Sequence, residues 1–190
     1  MSIIPDFDIG LWNAWILIIP LIIFWFGGVK FLFSKRMSEE QFTQKGRDKI
    51  VSMFLVLAMF FSFFYSVFLS LKLGTIWFYI GFIVYLIGLI LIILTMINFA
   101  TTPRDKPVTK GLYRYSRNPM FIGFFIVYAG IAIACISWVY TLLTVLFILI
   151  VNYLSPIEEA VTLKHYGKSY KEYIDRTPKW IGLPKSEKKK

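Results

Sequence analysis

Apolar residues fall in four long blocks along this chain, at Leu11–Phe33, Ile50–Leu71, Thr75–Ala100 and Met120–Leu154. Polar and charged residues fill the intervals between them. A hydrocarbon core of ~30 Å takes about 20 helical residues to cross, so each of the first three blocks predicts one membrane-spanning helix. The fourth is too long for one crossing, since as a straight helix at 1.5 Å per residue it would run ~52 Å. It predicts two helices joined by a tight turn near Ser137-Trp138. The fold class that follows is all-α, a polytopic membrane protein with five transmembrane helices. Its last two helices form a short hairpin.

Charge supports that count. Lys and Arg concentrate on the cytoplasmic side of membrane proteins. Lys35, Arg36, Lys45, Arg47 and Lys49 lie between the first two blocks. Arg104, Lys106, Lys110, Arg114 and Arg117 precede the fourth, and nine more follow it in 155–190. Residues 1–10 and the turn at 135–140 carry none, and the 72–74 turn carries only Lys72. Five crossings put all three basic segments on one face, with the N-terminus outside and the C-terminus cytoplasmic. Four crossings would split them. The net charge of +10 is thus a matter of topology and calls for no nucleic acid, although basic faces also attract anionic lipid headgroups. The 57% hydrophobic content and mean hydropathy of +0.66 agree with a multi-pass membrane protein. Asp6 and Asp8 stand where a cleavable signal would be basic, so no secretory signal is expected.

The first two blocks read as scaffold, with Lys30 placed to snorkel and Gly27-Gly28 loosening the end of helix 1. The linker 34–49 is expected on the membrane surface. In the third block Gly81 and Gly88 are spaced for close helix contact, and "TTPRDKP" ends the helix beyond Asn98. Residues 1–74 are accordingly read as scaffold and 75–190 as the functional core, closing with a C-terminal helix and a basic tail.

Chemistry concentrates in 101–118 and 152–182, which the hairpin must bring together on one face. Asn118 and Pro119 fit the N-cap and first position of a helix, whose free N–H groups attract anions. Arg117 adds full positive charge beside that cap. Arg114, Tyr113 and Tyr115 read as a positive-inside marker and an aromatic belt. In "SPIEEAVTLKHYGKSYKEY", Ser155, Pro156 and Glu158 fit a capping box, with the alternative that the helix runs on through Pro156. Glu159 is not needed for that box. Arg117 is its obvious partner across the hairpin, and a solvated surface charge is the plain alternative. His165, the one histidine, reads as a surface residue, and Tyr166, Tyr170 and Tyr173 as packing residues. Cys135, the one cysteine, excludes an intrachain disulfide and a cysteine-based metal cluster. "KSEKKK" reads as a disordered tail drawn to the membrane.

The ordered set "GLYRYSRNPMFIG", a hairpin, "EEA" and "HYGKSYKEYIDRTPKWIGLP" resembles the isoprenylcysteine carboxyl methyltransferase and phospholipid methyltransferase superfamily of integral membrane enzymes. The likeness covers about 104–184. It implies methyl transfer from S-adenosylmethionine to an isoprenoid, lipid or other lipophilic acceptor. The cofactor pocket would lie on the cytoplasmic face. Gly111, Tyr113, Arg117, Pro119, Glu158 and Glu159 match motif positions, while Asn118 stands for the usual His and Phe121 for the usual Tyr. The resemblance makes these eight residues the cofactor-binding set, with Arg117 and Glu159 also catalytic. Both departures leave the acceptor open. No Gly-x-Gly occurs in the third block, which disfavours methylation of a phospholipid amine.

The residues suit that cofactor independently. A helix start with Arg117 suits a carboxylate, and Glu158 or Glu159 suits an ammonium or a ribose hydroxyl. Tyr113, Phe121, Tyr166 or Trp180 suits adenine or a sulfonium. Two other readings stand beside it. One is an NADPH-dependent sterol or enone reductase, which is usually larger with more helices. The other is a non-enzymatic scaffold or transporter, disfavoured because helices 2 and 3 lack central ionisable groups.

Overall fold

The computed structural model describes residues 10–28 and 47–184. Six α-helices lie among them: α1 (Trp15–Gly28), α2 (Arg47–Val67), α3 (Ile76–Ala100), α4 (Pro119–Cys135), α5 (Trp138–Tyr166) and α6 (Lys168–Arg176). A 3-10 turn at Gly111–Arg114 precedes α4. No strand occurs among the described residues beyond an isolated bridge between Asn13 and Ser70. Lys30, most of the linker 34–49, Asp6, Asp8 and the "KSEKKK" tail lie outside the described residues.

α3 and α5 are long and apolar enough to cross a membrane, and Met53–Val67 and α4 are shorter apolar helices. Large apolar side chains such as Phe60, Ile83 and Leu149 stand exposed along α2, α3 and α5. Such a surface is suited to lipid contact, since soluble proteins rarely expose apolar patches of this extent.

The fourth apolar block divides as its length requires. α4 ends at Cys135, Ile136 takes the left-handed conformation at φ 51°, and Ser137 caps α5 by accepting from the Tyr140 N–H at 3.2 Å. Thr75 caps α3 likewise, accepting from Phe78 N–H.

The closest helix packing is between α3 and α4. Gly81 and Gly88 meet Gly130 and Gly123, so two pairs of glycines spaced seven apart face each other. A Cβ on Gly88 would sit 2.6 Å from Val127 N, and one on Gly130 2.5 Å from Tyr85 N, so the two backbones touch along this seam. The Tyr85 hydroxyl donates to Leu17 O at 2.8 Å and ties α3 to α1. Behind the seam, Tyr65, Tyr128, Tyr140 and Phe147 form a buried aromatic core joining α2, α4 and α5, with neighbouring rings 5.3–6.3 Å apart. At the hairpin-turn end, Leu71 N–H donates to Trp12 O and Lys72 N–H to Ala134 O. The starts of α1 and α3 and the ends of α2 and α4 therefore share that end. The start of α4 and the end of α5 lie at the other.

Candidate functional site

The hairpin brings the start of α4 beside the last third of α5. Arg117 directly precedes α4 there, and Glu159 projects from α5. Arg117 Nη1 is 3.2 Å from Glu159 Oε2, with the two side chains only 12% and 17% exposed. Two further polar atoms of the pair are buried and have no hydrogen-bond partner among the described residues, Arg117 Nε and Glu159 Oε1. One is a donor and one an acceptor. Leaving such atoms dry and unpaired is costly, and a polar ligand would satisfy both.

α5 runs unbroken from Trp138 to Tyr166 with Pro156 inside it. The capping box at Ser155 does not form, and the alternative of a helix running on through Pro156 holds. Glu158 is therefore free of a capping role. Neighbouring residues on a helix point about 100° apart, and Glu158 is exposed while Glu159 is sheltered against Arg117.

Pro119 occupies the first position of α4 as expected, but Asn118 makes no side-chain cap. Its Nδ2 instead donates to Lys179 O at 3.1 Å, and its N–H donates to Ser116 Oγ at 3.0 Å. The cap expectation therefore holds in position and fails in chemistry, because the returning C-terminal segment offers the side chain a carbonyl.

That segment fixes the site loop. Arg117 N–H donates to Pro178 O at 3.0 Å, and Gly182 N–H to Tyr115 O at 3.1 Å. The Tyr173 hydroxyl donates to Tyr113 O at 2.8 Å. Burial pushes the Tyr173 phenol well above its ordinary range, so it stays protonated and able to donate. Tyr170 and Tyr173 pack inward, and the Tyr166 hydroxyl donates to Arg104 O at 3.1 Å. His165 is exposed in the last turn of α5.

The remaining candidates sit around this centre. Gly111 opens the 3-10 turn at φ 60° against the Asn98 side chain, which a Cβ would overlap. That position needs glycine for both conformation and space. Tyr113 is half-buried in the same turn. Phe121 packs against the apolar core, and Trp180 lies 5.7 Å from Phe125. Direct contacts among the described residues thus join Arg117 to Glu159 and tie Tyr113 and Asn118 to the C-terminal segment. They do not bring Glu158 or Phe121 to the ion pair. Ser116, Tyr173, Pro178 and Lys179 hold the loop, and none of them stands out in the sequence as a candidate for chemistry. Three bonds, from Arg117 N–H to Pro178 O and from Asn118 Nδ2 and the Ser116 hydroxyl (3.3 Å) to Lys179 O, end on backbone carbonyls of the tail, which leave no mark in the sequence.

The family model of phospholipid methyltransferases matches residues 69–169, more than half of the chain and the stretch that holds both Arg117 and Glu159. No curated protein matches the chain.

Proposed function

We propose that this chain, which belongs to the phospholipid methyltransferase family, is an integral membrane methyltransferase that uses S-adenosylmethionine. Its acceptor is an isoprenoid, lipid or other lipophilic molecule, methylated at the cytoplasmic face. The observation that carries this reading is the sheltered Arg117–Glu159 pair with its unpartnered Nε and Oε1. An amino acid zwitterion bears one group for each. Arg117 takes the carboxylate, beside the free N–H groups at the start of α4. Glu159 takes the ammonium, with exposed Glu158 available to a ribose hydroxyl. Gly111, Tyr113, Asn118, Pro119 and Phe121 line the remainder of the cofactor site.

The cofactor supplies a methyl group already activated by its sulfonium. The protein then has to align the acceptor and exclude water. Arg117 and Glu159 fix one end of the cofactor, and the hydrogen bonds from Tyr173, Asn118 and Arg117 N–H keep the loop rigid. The apolar flanks of α4 and α5 admit an acceptor from the bilayer. Five crossings, with the N-terminus outside and the C-terminus cytoplasmic, fit the basic segments, and residues 75–190 form the methyltransferase core over a scaffold of 1–74.

Transfer of a labelled methyl group from S-adenosylmethionine into a lipid extract of the source cells tests the activity and reveals the acceptor. Calorimetry tests the cofactor, and an intact, lipid-embedded protein that gives no binding heat would remove it from the reading.

A further inference from the structure

After α6 the chain turns back across the start of α4 instead of leaving the protein. Pro178 O and Lys179 O accept from Arg117 N–H and Asn118 Nδ2, and Gly182 N–H donates to Tyr115 O. Trp180 packs on Phe125 of α4. Lys179 reaches the other way, to α5. Its Nζ lies 3.4 Å from Asn152 O and 3.2 Å from Asn152 Oδ1.

Pro156 makes that contact possible. In an α-helix Asn152 O would accept from the N–H four residues on, and proline has none. The vacated carbonyl is the one Lys179 takes. Residues 177–183 thus form a strap pinned by hydrogen bonds to the loop just before α4 and to α5 by one lysine.

The strap has two features that its own packing does not use. The Lys179 ammonium rests on two neutral oxygens and lies 5.4 Å from the Trp180 ring, with no carboxylate in ion-pair range among the described residues. An ammonium has three donors, and its charge here is uncompensated. Ile181 and Leu183 are 78% and 83% exposed, two residues apart in a non-helical segment, while Trp180 beside them is half-buried. Asn152 lies two helical turns, about 10 Å, from Glu159 towards the apolar part of α5. The free charge and the two bare apolar side chains therefore sit together at the border between polar and apolar surface.

We propose that this strap is an anchor for anionic lipid. Lys179 Nζ takes a phosphate oxygen of a lipid headgroup, and Ile181 and Leu183 enter the headgroup boundary beside it. Because the strap holds the Arg117 backbone, lipid on the strap sets how firmly Arg117 is held. The inference rests on the membrane placement proposed above and is independent of the cofactor.

The test is amide hydrogen exchange of the full chain in nanodiscs of phosphatidylcholine, with and without phosphatidylglycerol, and without S-adenosylmethionine. The Arg117 and Gly182 amides are expected to exchange about fivefold more slowly in the anionic discs, the effect of one lysine in an anionic surface potential. Lys179→Arg keeps the difference. Lys179→Ala, and the pair Ile181→Ser with Leu183→Ser, abolish it. Pro156→Ala returns a donor to Asn152 O without touching the strap, and it too shrinks the difference. Wild-type protection along the Gly81–Gly130 seam certifies that each variant is folded. Equal exchange in the two discs, a difference that survives Lys179→Ala, or inorganic phosphate reproducing it in neutral discs would each overturn the proposal. Since no arm contains the cofactor, failure of S-adenosylmethionine to bind would leave this readout intact.

Discussion

Arg117 Nη1 lies 3.2 Å from Glu159 Oε2, and the two residues meet from opposite arms of the α4–α5 hairpin. Each neutralises a partner that is largely shut off from solvent. Arg117→Ala or Glu159→Ala leaves the other charge uncompensated and removes one of the two contacts proposed for the zwitterion. Hydrogen bonds to charged groups contribute about 1.5–3 kcal/mol, so either change is expected to weaken S-adenosylmethionine binding by on the order of 10- to 100-fold in calorimetry. Arg117→Lys keeps the charge but loses the planar fork and Nε, and is expected to recover less than half of that loss in free energy. Wild-type affinity in both alanine variants would move the site elsewhere.

Much of this centre was legible because its cause is local. Block lengths divided Met120–Leu154 into two helices, and a short hairpin forces Arg117 towards Glu159 whatever the side-chain details. Gly81 and Gly88 announced a close contact. Their partners Gly123 and Gly130 repeat the same spacing, and that signal was open to reading. The ties made by Asn118, Ser116 and Tyr173 were not legible, because they end on carbonyls brought near by tertiary packing. The same holds for Ser155-Pro156-Ile157-Glu158. Local sequence fits a cap there, but apolar packing of α5 on both sides carries the helix through, as tertiary contacts often override local preference.

The glycine seam gives a stability prediction. A Cβ at Gly130 would meet the Tyr85 backbone, which has no flexible end to swing away. Gly130→Val is expected to cost at least about 3 kcal/mol, at the upper end of overpacking penalties. Ile83→Ala on the exposed face of the same α3 helix is expected to be close to neutral. Denaturant unfolding of both variants in one detergent checks the contrast.

Ser155 tests the helix that runs through Pro156. As an N-cap its loss would cost about 1 kcal/mol. Inside α5 its Oγ is fully buried with no partner among the described residues. Removing an unpaired buried hydroxyl relieves a desolvation cost. Ser155→Ala is therefore expected to leave stability unchanged or to raise it slightly. A clear loss would restore the cap.

Tyr173→Phe removes the hydroxyl that donates to Tyr113 O at 2.8 Å and with it the bond from α6 to the loop. The ring remains to fill its buried place between α6 and the loop. The cost expected is about 1 kcal/mol, the net contribution of one hydrogen bond. It should appear as faster amide exchange across 113–118, with α3 and α4 unchanged.

Ile136 carries the prediction with the opposite sign. It sits at φ 51° in the hairpin turn, where its N–H donates to Ile133 O and the next N–H, from Ser137, to Ala132 O at 2.9 Å. This helix-ending geometry favours glycine, and a β-branched residue there bears a clash between Cβ and the following carbonyl of roughly 1–2 kcal/mol. The side chain is 44% exposed at the turn, so its burial offsets little of that strain. Glycine also loses more entropy on folding, which takes back part of the gain. Ile136→Gly is expected to be net stabilising by a few tenths to about 1 kcal/mol, raising the melting temperature by a few degrees at most. The turn lies at the far end of the hairpin from Arg117, so cofactor affinity should not change. A melting point lowered by more than that, with affinity intact, would mean that the Ile136 side chain packs against lipid or a partner at that end strongly enough to outweigh its own strain.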